Sequence, residues 1–205
     1  MEGFVEIHIL QEKEEDYRRV EEVTRLAFSY PERIKRGGIG CPYEHWMVHE
    51  LRQRDGILPL SLTARIHGNI VGHLICSRAV VRCKERKLPV LNLGPVSVLP
   101  DCQRQGVGKA LITDMIDRAR RRGDGAILFF GRPKYYPQFG FREASEYGIA
   151  DCYGENYPAF MGMELVDGYL EKVRGGRFYE SDIYDDGKNK EAVKTFDKGF
   201  MARKE

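Results

Sequence analysis

A chain of 205 residues, 42% of them hydrophobic, suits one globular domain with a sizeable core, because domains commonly run to about 100–200 residues. The 33 basic and 31 acidic residues leave a net charge of only +2, so nothing in the balance points to nucleic acid. Five cysteines, odd in number and without a CxxC pair, indicate neither a disulfide framework nor a zinc ribbon. An acidic amino terminus, and no apolar run near the roughly 20 residues that span a bilayer, set the expectation of a soluble cytoplasmic protein without a membrane partner.

Val5, Ile7 and Ile9 alternate in Phe4 to Leu10, the period of a strand with one buried face. From Glu14 to Phe28 the residues Tyr17, Val20, Val23 and Ala27 recur at helical spacing behind an acidic first turn, and this helix ends before Pro31. Ser29 to Pro42 is rich in glycine and charge and is expected to be a mobile segment; Tyr43 to Arg54 predicts a second, shorter helix. Ser61 to Ile66 and Ile70 to Val81 predict a hairpin turning at His67-Gly68-Asn69. Val90 to Val98 is a strand interrupted by Gly94-Pro95, which implies a bulge or an edge.

Val107 to Arg122 carries one apolar stripe, Val107, Leu111, Ile112, Met115, Ile116 and Ala119, with a basic end and Gly123 as a stop. A buried strand, Ala126 to Phe130, follows it. A strand, helix and strand in this order beside antiparallel hairpins predict a mixed α/β sheet. Phe160 to Val166 is the best strand of the remainder, and the last 25 or so residues mix acidic and basic side chains without a strong apolar period.

The chemistry concentrates in VSVLPDCQRQGVGKAL, Val96 to Leu111: a strand, a loop with Gly106 and Gly108, and a helix that opens on them. Helix starts leave N–H groups unpaired and carry about half a positive charge, and glycine lets an anion approach the backbone. Arg104 and Lys109 add side-chain charge, and Gln103 can bond loop carbonyls or the ligand, a set suited to a pyrophosphate. A lone GxG is also what a tight turn packed on a sheet uses. The spacing excludes a P-loop and a dinucleotide fingerprint.

This segment resembles the GNAT superfamily of acetyl-CoA-dependent N-acetyltransferases, whose signature is Q/R-x-x-G-x-G/A at the start of the third long helix; Gln103, Gly106 and Gly108 match it. Val96-Ser97-Val98 looks like the family's splayed fourth strand, and Tyr135 to Phe141, YYPQFGF, looks like its FYxxxGF segment. The resemblance implies a single α/β (α+β) domain with a mixed central β-sheet splayed between strands four and five and helices on both faces. Its core would cover about residues 3–166, with a divergent carboxyl-terminal extension from about 167 to 205. Acetyl-CoA is then the implied donor, a primary amine the acceptor, and no metal takes part; a homodimer stays open.

By the same likeness the Val96 and Val98 backbone would bond the pantetheine arm and the acetyl carbonyl, with Ser97 between them. Gln103, Arg104, Gln105, Gly106, Val107, Gly108 and Lys109 would hold the pyrophosphate, and Tyr136 would sit by the sulfur. A free N–H near Val98 would stabilise the oxyanion, and Tyr136 would protonate the departing thiolate. Pro137 disfavours helix at Tyr136, so Tyr135 is the alternative at the sulfur. His45 and His49, four apart, suggest a solvated helix face more than a metal site, and Glu50 or His49 is the first base to test. Cys102 is read as packing, and Arg118, Arg120, Arg121 and Arg122 as cations suited to a helix end. The alternative function is a non-catalytic acyl-CoA-binding sensor.

Overall fold

The computed structural model describes residues 6–200. Its strands are β1 (His8–Gln11), β2 (Gly56–Ile66), β3 (Asn69–Cys83), β4 (Arg86–Val98), β5 (Ala126–Phe130), β6 (Arg142–Glu143), β7 (Phe160–Glu164) and β8 (Arg177–Tyr179). The α-helices are α1 (Tyr17–Phe28), α2 (Pro31–Gly37), α3 (Glu44–Gln53), α4 (Val107–Arg122) and α5 (Lys190–Asp197). Hydrogen bonding runs in the order β1-β2-β3-β4-β5-β7-β6, with β8 on β3. β4 pairs parallel with β5, whereas β1–β2, β3–β8, β5–β7 and β6–β7 are antiparallel, so the sheet is mixed, as the strand–helix–strand order requires. The chain divides into two compact units, and β3, β4 and α4 each contribute to both.

The first unit comprises the described residues up to Ile75, Pro95–Leu111 and those from Asp182 on. Here β1 pairs antiparallel with β2, from His8↔Arg65 to Gln11↔Leu62. The strand expected from Phe4 begins at His8; Phe4 and Val5 lie outside the described residues. The β2–β3 hairpin turns on His67 and Gly68, both at positive φ (49° and 79°), the combination that a two-residue turn between twisted strands needs. Val20, Val23, Trp46, Met47, Val48 and Leu51 from α1 and α3 form a core with Ile70, Ile75, Ile183 and Val193. Fully burying one such aliphatic side chain stabilises by roughly 1.5–3 kcal/mol.

Two features of this unit go beyond what the sequence offered. The segment after Ser29 contains α2, with Pro31 in its first turn and Gly38 (φ 67°) as its left-handed cap; the proline that ends one helix opens the next. Residues of the carboxyl-terminal extension also enter the core. Val193 of α5 is fully buried, and Phe196 packs against the same cluster at helical spacing.

The second unit comprises Cys76–Gly94 and Ile112–Ser181. In it β5 pairs antiparallel with β7 from Ala126↔Glu164 to Phe130↔Phe160, and β8 pairs with β3 at residues 80–82. Val81, Val90, Ala126, Leu128, Ala144, Ile149, Phe160, Leu170, Val173 and Phe178 form its core. The parallel pairing of β4 with β5 is recorded at Leu91↔Ile127 and Asn92↔Leu128, and among the described residues it goes no further. Strands four and five therefore part after Asn92, the splay that the resemblance implies.

Candidate active site

The loop that joins β4 to α4 is built by local bonds. Leu99 N–H donates to Val71 O at 2.8 Å, Cys102 N–H to Leu99 O at 2.9 Å and Gln103 N–H to Pro100 O at 3.2 Å, closing one short turn of helix. The Gln103 side-chain amide donates to Val98 O at 3.2 Å and that of Gln105 to Asp101 O at 2.8 Å. Both glutamines thus brace the loop onto its own backbone, one of the two roles the sequence allows for Gln103.

Arg104 (φ 61°) and Gly106 (φ 89°) both adopt the left-handed conformation. For arginine this costs about 1–2 kcal/mol, and such strain in a tightly specified loop points to function. A Cβ on Gly106 would meet only Ile7 Cδ1, at 4.0 Å, so the glycine serves its φ and leaves open space beside it. Ala110 N–H donates to Gly106 O at 2.9 Å, starting the helical ladder and leaving the N–H groups of Val107, Gly108 and Lys109 ahead of it. Arg104, Gln105 and Lys109 are exposed while Val107 is buried, anchoring the turn. An anion of two or more charges fits such a turn.

Val96 and Val98 are half-buried on the last residues of β4. Ser97 between them is 1% exposed, its hydroxyl 3.1 Å from Thr24 Oγ1 and 3.4 Å from His73 O, so only its backbone is left for a ligand. Behind the loop stands Gly72 of β3, which sequence reading passed over. A Cβ there would lie 3.0 Å from Ser97 O, 3.0 Å from Val107 Cγ1 and 3.2 Å from Leu111 Cδ1. The only hint in the sequence was a glycine within a continuous strand pattern, which marks close backbone approach.

Tyr136 belongs to the second unit, whereas residues 96–98 and 103–109 belong to the first. It opens a short 3₁₀ turn, Tyr136–Phe139, which accommodates Pro137. Its ring lies edge-on to Phe129 at 4.5 Å and to Phe141 at 5.8 Å, and Gly131 makes room for it. Burial, with a smaller contribution from Tyr135, pushes the Tyr136 phenol up to about 12. Tyr135 is more exposed, and its phenol is raised by burial.

His45 and His49 do not converge on one point. His45 is fully buried, its Nε2 3.1 Å from Asp197 Oδ1 and its ring against Phe196 and Phe200. His49 Nδ1 lies 3.1 Å from Glu21 Oε1. Glu50 and His49 line an open surface depression with Trp46 and Phe196. Among the described residues no group of three or more histidines, cysteines or acids could hold a metal ion, and no helix is long and apolar enough to cross a membrane.

A charged chain lies inside the first unit. Arg52 donates to Glu12 at 2.6 and 3.2 Å and to Glu21 at 2.8 Å, while Ser61 Oγ donates to Glu12 and lies 3.0 Å from His73 Nε2. Burial alone would raise the Glu12 carboxyl, but His73 and Arg52 outweigh it and hold it at about 2.

The model of the Acetyltransferase (GNAT) family matches residues 8–141. An uncharacterized N-acetyltransferase of Escherichia coli K12, YjhQ, is 33% identical over 129 residues, which cover 62% of this chain and 66% of that protein. A second from the same strain, YhbS, is 28% identical over 130 residues, 63% of this chain and 76% of that protein. The crystal structure of E. coli YhbS in complex with CoA superposes with a TM-score of 0.75 over 90% of this chain and 95% of its own, at 21% identity. A Brucella melitensis GNAT acetyltransferase in complex with acetyl-CoA gives a TM-score of 0.59 at 26% identity, covering 78% of this chain and 88% of its own.

Proposed function

Since the chain belongs to the acetyltransferase (GNAT) family, we propose that it moves an acetyl group from acetyl-CoA to a primary amine by direct attack in a ternary complex. The observation that carries this reading is the turn through left-handed Arg104 and Gly106, which opens on the first N–H groups of α4 between two exposed cations. The CoA and acetyl-CoA bound to the two structural neighbours support it. An odd set of five cysteines without a CxxC pair supports placing it in a reducing cytoplasm.

Acetyl-CoA supplies an activated thioester carbonyl. The N–H groups of Val107, Gly108 and Lys109 hold its pyrophosphate, with Arg104 and Lys109 neutralising the charge and Gln103 and Gln105 keeping the loop rigid. Val96 and Val98 lie past the last β4–β5 pair, so their backbone groups can bond the pantetheine arm. A preset N–H near Val98 stabilises the oxyanion by several kcal/mol without reorganisation.

Tyr136, raised to about 12, is protonated at neutral pH. Passing that proton outright to a thiolate of ordinary pKa near 8.5 is uphill by about 5 kcal/mol. Its hydroxyl therefore acts as a hydrogen-bond donor to the departing sulfur, a weaker form of the acid role expected from the sequence.

Calorimetry with acetyl-CoA and with free adenine nucleotides tests the reading. Acetyl-CoA is expected to bind with a Kd on the order of micromolar, and Gly108→Glu to abolish binding by setting a carboxylate against the pyrophosphate. Failure of the intact protein to bind acetyl-CoA would overturn the proposal.

A further inference from the structure

An alkyl amine is mostly protonated at neutral pH, with an ordinary pKa near 10.4, and it must lose a proton before it can attack. The turn and Tyr136 do not supply that base. Most buried carboxylates are already committed to cations: Glu12 and Glu21 to Arg52, Glu44 to Arg33, and Asp197 to Arg25. His49 is engaged by Glu21.

Glu180 is different in partner and in place. It directly follows β8, beyond the segment that matches the family, and accepts a 2.6 Å hydrogen bond from the Asn92 side-chain amide. Asn92 is 2% exposed and is the last β4 residue paired with β5, so the carboxylate is tied to the point where the two strands part. That bond comes from a neutral amide, which orients the carboxylate without committing it to a cation. The Glu180 side chain reaches solvent, yet its carboxyl end is crowded by protein. This desolvation pushes it up to about 7, against the opposing effect of Asn92. Cys152 senses its charge: burial first, then Asp151 and Glu180, raise that thiol, while Arg177 lowers it. A base works best when its pKa lies near the working pH.

We propose that Glu180 is the general base of the acetyl transfer and that Asn92 is its positioning residue; this rests on the acetyltransferase reading above. The Glu180 carboxylate takes one proton from the substrate ammonium. The freed lone pair forms the C–N bond to the thioester carbon. Collapse of the tetrahedral adduct breaks the C–S bond, the electron pair leaves with sulfur, and the second proton lost by nitrogen passes to that sulfur. Glu180 then releases its proton to solvent, so the products are the amide, the CoA thiol and one proton.

The test compares wild type with Glu180→Gln by CoA-thiol release between pH 6 and 9.5, using two probe acceptors. Benzylamine is protonated at neutral pH, whereas hydroxylamine is already neutral there and needs no base. With benzylamine at pH 7 the variant is expected to be slower by about 10²–10³-fold, with the gap closing as pH rises, while its hydroxylamine rate stays within about threefold. Equal losses with both acceptors, or no loss with benzylamine, would overturn the assignment. Calorimetry on the same samples separates the two readings: retained acetyl-CoA binding with no Glu180 effect overturns this inference alone, whereas no binding by wild type overturns its premise as well.

Discussion

The two compact units bury different chemistry. Among the described residues, all buried polar and charged side chains except Ser77, Asn92 and Asp151 lie in the first unit, where Arg52 joins Glu12 to Glu21 and Arg25 clasps Asp197 beside His45. The second unit is held by aliphatic and aromatic packing: Phe160 and Phe178 lie 5.3 Å apart, and Phe129 meets both Tyr136 and Phe141. Buried ion pairs orient groups but are weak sources of net stability, and removing one partner strands the other charge. Apolar packing contributes stability that does not depend on protonation. The first unit should therefore respond most to lost charge and to acid, and the second most to lost volume.

The sharpest break in that comparison is Arg52→Met. It leaves Glu12 and Glu21 without their shared cation and should lower stability by about 3–5 kcal/mol in urea titrations followed by the single tryptophan, Trp46, which lies in the first unit. A loss under about 1 kcal/mol would mean that the neighbouring groups compensate fully.

Acid comes next. Glu12, depressed from 4.5 to about 2, stabilises the fold above pH 4.5, and that contribution disappears as pH falls towards 2. Burial holds His45 below its ordinary 6.5, so the unfolded chain takes up its proton first and stability is lost as pH falls below 6.5. Glu180, raised from 4.5 to about 7, has the opposite sign: its contribution is complete below 4.5 and is lost as pH rises through 7. On acidification Trp46 fluorescence should report loosening of the first unit while amides of β5 and β7 stay protected; simultaneous loss of both would erase the distinction.

The smallest effect on stability should come from Tyr136→Phe. The ring contacts survive, so stability should shift by no more than about 0.5 kcal/mol and acetyl-CoA affinity should hold, while turnover falls by about 10–100-fold. If Tyr135→Phe lowers turnover and Tyr136→Phe does not, the tyrosine at the sulfur is Tyr135.

The legible parts of the chain are those with long or redundant local signals. Helix α4 and strand β5 were readable to both ends, because an apolar stripe, a basic last turn and Gly123 agree over 16 residues. Helix α5 was not: at eight residues Val193 and Phe196 make too short a period, and their burial depends on the core formed with α1 and α3. Val166, half exposed, shows the same limit at the end of β7: apolar residues continue past the last paired position at Glu164.

For the candidate site, the residues of the turn before α4 could be singled out in the sequence because glycine, glutamine and a helix start carry their meaning within about ten positions. What only the tertiary structure decided was how they are held and what they meet. The left-handed Arg104 and the clearance at Gly72 depend on neighbouring backbone, and the Asn92–Glu180 bond joins residues 88 positions apart. Local periodicity specifies which face of an element is apolar, whereas contacts between distant segments follow from how those faces close together, and no short window of sequence contains that information.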